Sequence, residues 1–217
     1  MAPKERRERE KQDLRQKILD AAQSIINEEG FAALTMRKLA DHIEYSAASL
    51  YLHFRSREQI AQELCVLGYG RLLDALSASS PESDPIGRLR AMAKAYVSFG
   101  LEHPETYRLI FMGDSAYMEV AFADRSPESP AHRSFQLIVD VADELKHAGL
   151  FTGPASAAET AELLWSALHG IVSLRLTCPG FEGAPTGDLT EMMVSTLLYG
   201  LIDRPRASVI ETEAEAM

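Results

Sequence analysis

The chain has 217 residues, 22 of them Lys or Arg and 32 Asp or Glu, for a net charge of −10. That length allows one large domain or two small ones around a substantial apolar core. No run of about 18 apolar residues could span a membrane. The first residues lack the apolar centre of a signal peptide. Two cysteines, Cys65 and Cys178, are too few for a disulfide framework. A cytoplasmic protein with no membrane contact and no disulfide is expected.

Lys4 to Lys17 is a mixed-charge stretch. It reads either as a solvated segment or as a basic arm, with Arg6, Arg7 and Arg9 as its candidates. From Asp13, the apolar positions Leu14, Ile18, Ala21, Ala22, Ile25 and Ile26 mark a first helix that stops near Gly30, a natural C-cap. Thr35 then precedes a second helix, in which Met36, Leu39, Ala40 and Ile43 fall at i, i+3, i+4 and i+7. Glu44-Tyr45 is a turn. Ser46 is an N-cap for a third helix, Ala47 to Phe54, with Leu50 and Phe54 on its buried side. Ser56 caps a fourth helix that runs to Ser77, with Ile60, Leu64, Leu67 and Leu72 facing inward. Ser77 to Pro85 is the clearest linker. Helices follow at Ile86–Glu102, Glu105–Met112, Ala131–Ala148, Ser156–Thr177 and Asp188–Ile202. Loops are expected at Asp124–Pro130 and Pro179–Gly187, and an acidic tail follows Arg204. With no alternating strand pattern, the fold class is all-α with about nine helices. Residues 1–60 form a three-helix helix-turn-helix domain, and residues 61–217 a second helical domain.

A short helix-turn-helix with a polar outer face is the geometry that sets its second helix into the DNA major groove. Charge agrees once its distribution is considered. Residues 1–60 carry 11 basic and 10 acidic side chains, so the acidic excess lies entirely in residues 61–217. A narrow basic footprint can hold phosphates while the remaining surface repels them. Thr35 and Ser56 stand at helix N-termini, where free N–H groups attract anions. Arg57 adds a delocalised cation on the same side.

Gly30-Phe31, Leu34-Thr35, Arg37-Lys38-Leu39-Ala40, Ser49-Leu50-Tyr51, His53-Phe54 and Ser56-Arg57-Glu58 together carry a family resemblance. Over about its first quarter, the chain resembles the DNA-binding domain of the TetR family of transcriptional regulators. The resemblance implies phosphate contacts by Thr35, Tyr51 and the basic residue Arg57. The alternatives are a core aromatic for Tyr51 and a packing histidine for His53. Base readout is sparse. Ala47 and Ala48 can only pack against thymine methyl groups, and Ser49 is the one small polar reader. Arg37 is therefore the best fork for a guanine edge. It also matches an arginine used within the family, and a phosphate clamp is its alternative role. The family usually has glycine and valine where this chain has Glu44 and Tyr45. If position 44 needs a positive φ, a non-glycine residue there costs on the order of 1 kcal/mol.

In the second domain, Trp165 and His169 lie four apart on one helix face, followed by Gly170. This resembles a Trp-x-x-x-His-Gly signature of one TetR-type subgroup. Core and dimer packing is one reading, and a ligand pocket the other. Tyr96, Phe99, Tyr107, Phe111, Met112, Phe135 and Trp165 are candidate pocket walls, with His169 as a polar handle. They describe an ordinary core equally well. Gly170 fits the close approach of another helix. The resemblance also implies that the last two long helices pair with a second copy, so that two heads read a palindromic operator. Six scattered histidines lack paired metal spacing, so neither metal nor cofactor is expected. A ligand-responsive dimeric repressor of double-stranded DNA, with a small apolar or amphipathic effector, is the leading reading. A small hydrolase using His169 or His103 is the competing class. It lacks a Gly-x-Ser-x-Gly, a P-loop or a metal motif. An architectural DNA-binding protein without a ligand is a third.

Overall fold

The computed structural model describes residues 3–79, 84–121, 123–124, 126–151, 154–181 and 183–201. Most of the linker between Ser77 and Pro85 and the tail after Arg204 lie outside these. Ten α-helices and one 3-10 turn make up the described residues, with no strand among them. They are α1 Pro3–Glu29, a 3-10 turn Phe31–Ala33, α2 Met36–His42, α3 Ala47–Tyr51, α4 Arg57–Ala78, α5 Pro85–Glu102, α6 Pro104–Phe111, α7 Ser115–Ala121, α8 Pro130–His147, α9 Ala157–Thr177 and α10 Thr186–Leu201. The all-α class read from the sequence holds. Two elements, the 3-10 turn and α7, are additions to the expected set. The chain forms two compact units. One is built from residues 1–78 and 98–136, the other from 79–97 and 137–217.

In the first unit, α1 buries Ile18, Ala21, Ala22 and Ile25 of the predicted stripe, and its other two members, Leu14 and Ile26, are half-buried. It starts ten residues earlier than its apolar pattern. The preceding Lys, Glu, Arg and Gln residues favour helix without supplying an apolar period. Gly30 ends it at φ 82, a left-handed conformation that glycine adopts without Cβ strain. Its N–H bonds the Ile26 carbonyl at 2.9 Å. The inward line of α4 is Ile60, Ala61, Leu64, Cys65, Gly68, Tyr69, Leu72 and Leu76. Leu67, expected inward, is exposed. The helical row passes through Gly68 instead, and Leu67 sits about 100° off it. Gly68 is the crossing point of α4 with α6. A Cβ there would stand 2.5 Å from Ile110 Cγ2 and 3.3 Å from Thr106 Cγ2.

α7 exists because Asp114 caps it. One carboxylate oxygen accepts from the Tyr117 N–H at 2.8 Å, and the other accepts from the Phe31 N–H at 3.2 Å. The Tyr117 ring meets Phe31 edge-on, with centroids 5.6 Å apart. One side chain thus ties the α6–α7 corner to the turn after α1.

The second unit packs α9 against α10. Ser156 and Glu159 form a reciprocal capping box at the start of α9. Arg90 pairs with Glu191, and Arg88 with Glu144. Leu164, Leu168, Ile171, Val172, Val194 and Leu198 supply much of its buried apolar surface.

The turn between α2 and α3 uses the geometry that glycine would serve. Glu44 has φ 59, the one positive φ at a non-glycine among the described residues. Its left-handed backbone lets the Tyr45 N–H reach the Ala40 carbonyl at 2.9 Å. Glu44→Gly is expected to stabilise the fold by about 0.5–1 kcal/mol. Relief of the left-handed strain outweighs the added freedom of the unfolded chain. A higher urea midpoint at unchanged slope is the expected readout, and a lower midpoint would show that the strain is absorbed elsewhere.

Candidate nucleic-acid interface

The reader is made of α2, the turn and α3, held by caps that the sequence announces. The Thr35 hydroxyl accepts from the Lys38 N–H at 3.1 Å. The Ser46 hydroxyl accepts from the Ser49 N–H at 3.2 Å. Leu39, Leu50 and Phe54 are buried completely and set the two helices on the first unit's core. The α-helical part of α3 ends at Tyr51 rather than Phe54, and a turn carries Leu52 to Phe54. That shortening still brings Phe54 inward, because its N–H bonds the Leu50 carbonyl at 3.0 Å.

Each predicted reader has a definite setting. Arg37 is exposed on α2 and forms no ion pair among the described residues. Tyr51 is 54% exposed, which fits a surface role and not a core aromatic. Ala48 is exposed, Ala47 and Ser49 are half-buried, and the Ser49 hydroxyl lies 2.8 Å from that of Ser46. Any base contact by Ser49 would share or break that hydrogen bond. His53 is half-buried, and its Nδ1 is buried without a partner among the described residues. Burial first, and then the charges of Lys11 and Arg15, pull its imidazole below the usual range. At neutral pH it is an uncharged ring, able to hydrogen-bond and not to act as a cation.

Arg57 is the most constrained of the set. Its guanidinium lies 4.7 Å above the Phe31 ring centre. It donates to the Leu34 carbonyl at 3.2 Å and to the Glu58 carboxylate at 2.9 Å. These contacts strap the start of α4 to the segment that leads into α2. The sequence marks it as a cation but cannot show the ring and carbonyl that hold it. Arg15, not singled out from the sequence, does the same on the other side. It donates to the His53 carbonyl at 2.9 Å and to Glu63 at 3.1 Å, and stacks 4.2 Å from the Phe54 ring centre. A basic residue three positions ahead of Ile18, the first buried apolar residue of α1, was the available signal.

The candidate effector residues divide between the two units. In the first, Phe99 and Tyr107 are buried, while Phe111 and Phe135 are half-buried. Tyr107 and Tyr69 both meet Phe111, at 4.7 Å and 5.4 Å between centroids. Cys65 and Tyr117 belong to the same apolar region. Burial pushes the Cys65 thiol up to about 12 and raises the Tyr69 and Tyr117 phenols. All three are neutral groups at physiological pH, unsuited to nucleophilic work. The buried Tyr117 hydroxyl has no partner among the described residues. No motif in the sequence marks it. In the second unit, Trp165 is half-buried and edge-on to the fully buried Tyr96, with centroids 5.1 Å apart. His169 is half-buried too, and burial lowers its pKa. No group of three or more His, Cys, Asp or Glu among the described residues could hold a metal ion. No described helix is long and apolar enough to cross a membrane.

Comparison with known proteins places this arrangement. Residues 18–64 match the pattern of "Bacterial regulatory proteins, tetR family". Residues 89–197 match "Tetracyclin repressor-like, C-terminal domain". An uncharacterized helix-turn-helix-type transcriptional regulator of Bacillus subtilis is 34% identical over 90 residues, covering 42% of this chain and 47% of that protein. The chain thus spans about half of that relative's length. A second such regulator, from Mycobacterium tuberculosis, is 28% identical over 163 residues, 75% of this chain and 70% of its own. A protein of unknown function from Rhodococcus, known by structure, is 30% identical with a TM-score of 0.68, covering 88% of this chain and 96% of its own.

Proposed function

The chain belongs to the TetR family of bacterial regulatory proteins, and from that premise we propose that it is a dimeric transcriptional repressor. It binds a palindromic operator through α2 and α3 and is released by a small apolar or amphipathic effector. Residues 1–60 read DNA, and residues 61–217 sense and dimerise. The observation that carries this reading is the exposed face of the reader. Arg37 and Tyr51 stand in solvent on a helix pair whose other side is locked by wholly buried Leu39 and Leu50. Thr35 and Tyr51 position the phosphates, and Arg37 supplies the base contact. Arg57 contributes chiefly by holding the reader in place, since its guanidinium is engaged within the chain.

A dimer suits this reader because two heads must meet half-sites about 34–36 Å apart. Support comes from the second unit. Met192, Thr196 and Tyr199 form an exposed i, i+4, i+7 row on α10, and Leu163 and Gly170 are exposed on α9. A Cβ at Gly170 or Gly200 would meet nothing within 4 Å. The helix approach expected at Gly170 is therefore made by none of the described residues, and a second copy is the occupant that fits. Effector binding shifts the population toward a state whose heads no longer match operator spacing. The aromatic residues around Phe111 and around Trp165 are the candidate effector contacts.

Binding-site selection tests the reading. Arg37→Ala is expected to lose about 1–3 kcal/mol at one base pair of each half-site and to relax preference there. An equal loss for every sequence would make Arg37 a phosphate clamp. No binding of the unsubstituted protein to any duplex would overturn the function itself.

A further inference from the structure

We propose that the first three turns of α1 form a second phosphate-binding surface, in which Lys4, Arg7 and Lys11 hold the DNA backbone beside the site occupied by α3. This rests on the reading of the chain as a DNA-binding regulator and extends it to residues outside the helix-turn-helix.

The argument begins with helical register. Successive residues of an α-helix step by about 100°. Taking the buried Ile18 as the core line, Lys11, Arg7 and Lys4 all fall within about 40° of it. The row that buries Ile18, Ala22 and Ile25 farther along the helix therefore continues toward the N-terminus as three cations, all exposed. The acidic residues of this stretch, Glu5, Glu8 and Glu10, lie about 80° or more from that line. Arg6 and Arg9 lie about 120° and 180° away. Arg6 is answered by Glu10 at 3.3 Å. Lys4, Arg7 and Lys11 form no ion pair among the described residues. A merely solvated helix end gives no reason to sort its charges this way, least of all in a chain of net charge −10.

The row runs out of packing partners beside α3. Beyond Lys11 the row meets half-buried Leu14, and Arg15, about 60° from the same line, donates to the His53 carbonyl and stacks on Phe54. Lys17 lies 6.0 Å from the centre of the Tyr45 ring. These contacts seat α1 against the residues that flank α3 on both sides. Lys11, one turn before Arg15, is close enough for its charge to act on His53. Lys4 stands about 16 Å along the axis from Arg15 at 1.5 Å per residue. A groove-bound α3 has phosphates on each side, and duplex DNA carries one charge per about 1.7 Å of its axis. An exposed cation row leading away from α3 meets that density without reading sequence.

The test compares two pairs of substitutions on a random-sequence duplex, because phosphate contacts do not need an operator. Arg7→Ala with Lys11→Ala and Arg6→Ala with Arg9→Ala each remove two positive charges from exposed positions, and alanine preserves the helix. Affinity is measured by fluorescence anisotropy across a salt series, with circular dichroism as a check on helicity. The first pair is expected to flatten the dependence of log affinity on log salt by about 1.8 per protomer, and the second to leave it unchanged. Equal flattening by both pairs would reduce the effect to diffuse charge and overturn the surface. No change from the first pair would make the row a solvated helix end. If the unsubstituted protein fails to bind the duplex even at low salt, the DNA-binding reading falls and this surface with it. Bound wild type with an unaltered Arg7/Lys11 variant overturns the surface alone.

Discussion

Replacing both Met192 and Tyr199 with glutamate is expected to leave a folded monomer that no longer holds an operator. Both side chains are more than half exposed on α10 in the isolated chain, so the protomer tolerates a charge there. A two-fold interface would bury four new carboxylates without partners. Each costs a few kcal/mol to desolvate, so the dissociation constant of the dimer should rise by about 10³ or more. Sedimentation should then report one chain at concentrations where the parent reports two, and gel shift should lose the operator complex at the same concentration. A variant that stays dimeric with full DNA binding would place the interface on another face. The choice of residues matters. Leu198 is 5% exposed, so glutamate there would break the protomer's own core and report unfolding instead of dissociation.

Gly68→Ala is expected to cost about 1–2 kcal/mol of stability, although alanine is the better helix former by about 1 kcal/mol. The added Cβ would come within 2.5 Å of Ile110 Cγ2. That methyl belongs to a β-branched side chain with no exposed surface, so it cannot swing away. Overpacking of this kind typically costs 1–3 kcal/mol. A double-mutant cycle separates the effects. Ile110→Ala alone should cost about 2–5 kcal/mol through the cavity it leaves. In that background, Gly68→Ala should become neutral or stabilising, giving a coupling of about 1–3 kcal/mol. If Gly68→Ala stabilises the unaltered protein, the crossing of α4 and α6 has room for a methyl group and packing does not select the glycine.

The reader was legible because its determinants are local. Thr35 and Ser46 announce two helix starts, Leu39, Leu50 and Phe54 give the buried side, and Glu44 raised the question of a positive φ that the backbone answers. What escaped the sequence depends on distant contacts. Ser115 to Ala121 is short and carries no clear period. Its helix is held by an Asp114 side chain that also bonds Phe31, 83 residues away. Leu67 was misplaced because a leucine outweighs a glycine in any apolar pattern, while the close crossing of α4 and α6 selects Gly68 for the inward row. Arg57 reads as a free cation until Phe31 and the Leu34 carbonyl are seen around it. The aromatic residues assigned to an effector site divide between two compact units, a grouping that spacing along the chain cannot reveal.

The discontinuity of the first unit bears on how such proteins can be recombined. Its N-terminal stretch ends at Ala78, but residues 98–136 belong to it as well. They bring Ile110 against Gly68 and Asp114 against the Phe31 amide. A chimaera that grafts residues 1–78 onto a foreign sensor would leave those surfaces facing side chains selected for another head. On the proposed reading, exchange of operator specificity between relatives is therefore safest when confined to the exposed face of α2 and α3. A single crossover after α4 divides one packed body into two incompatible parts.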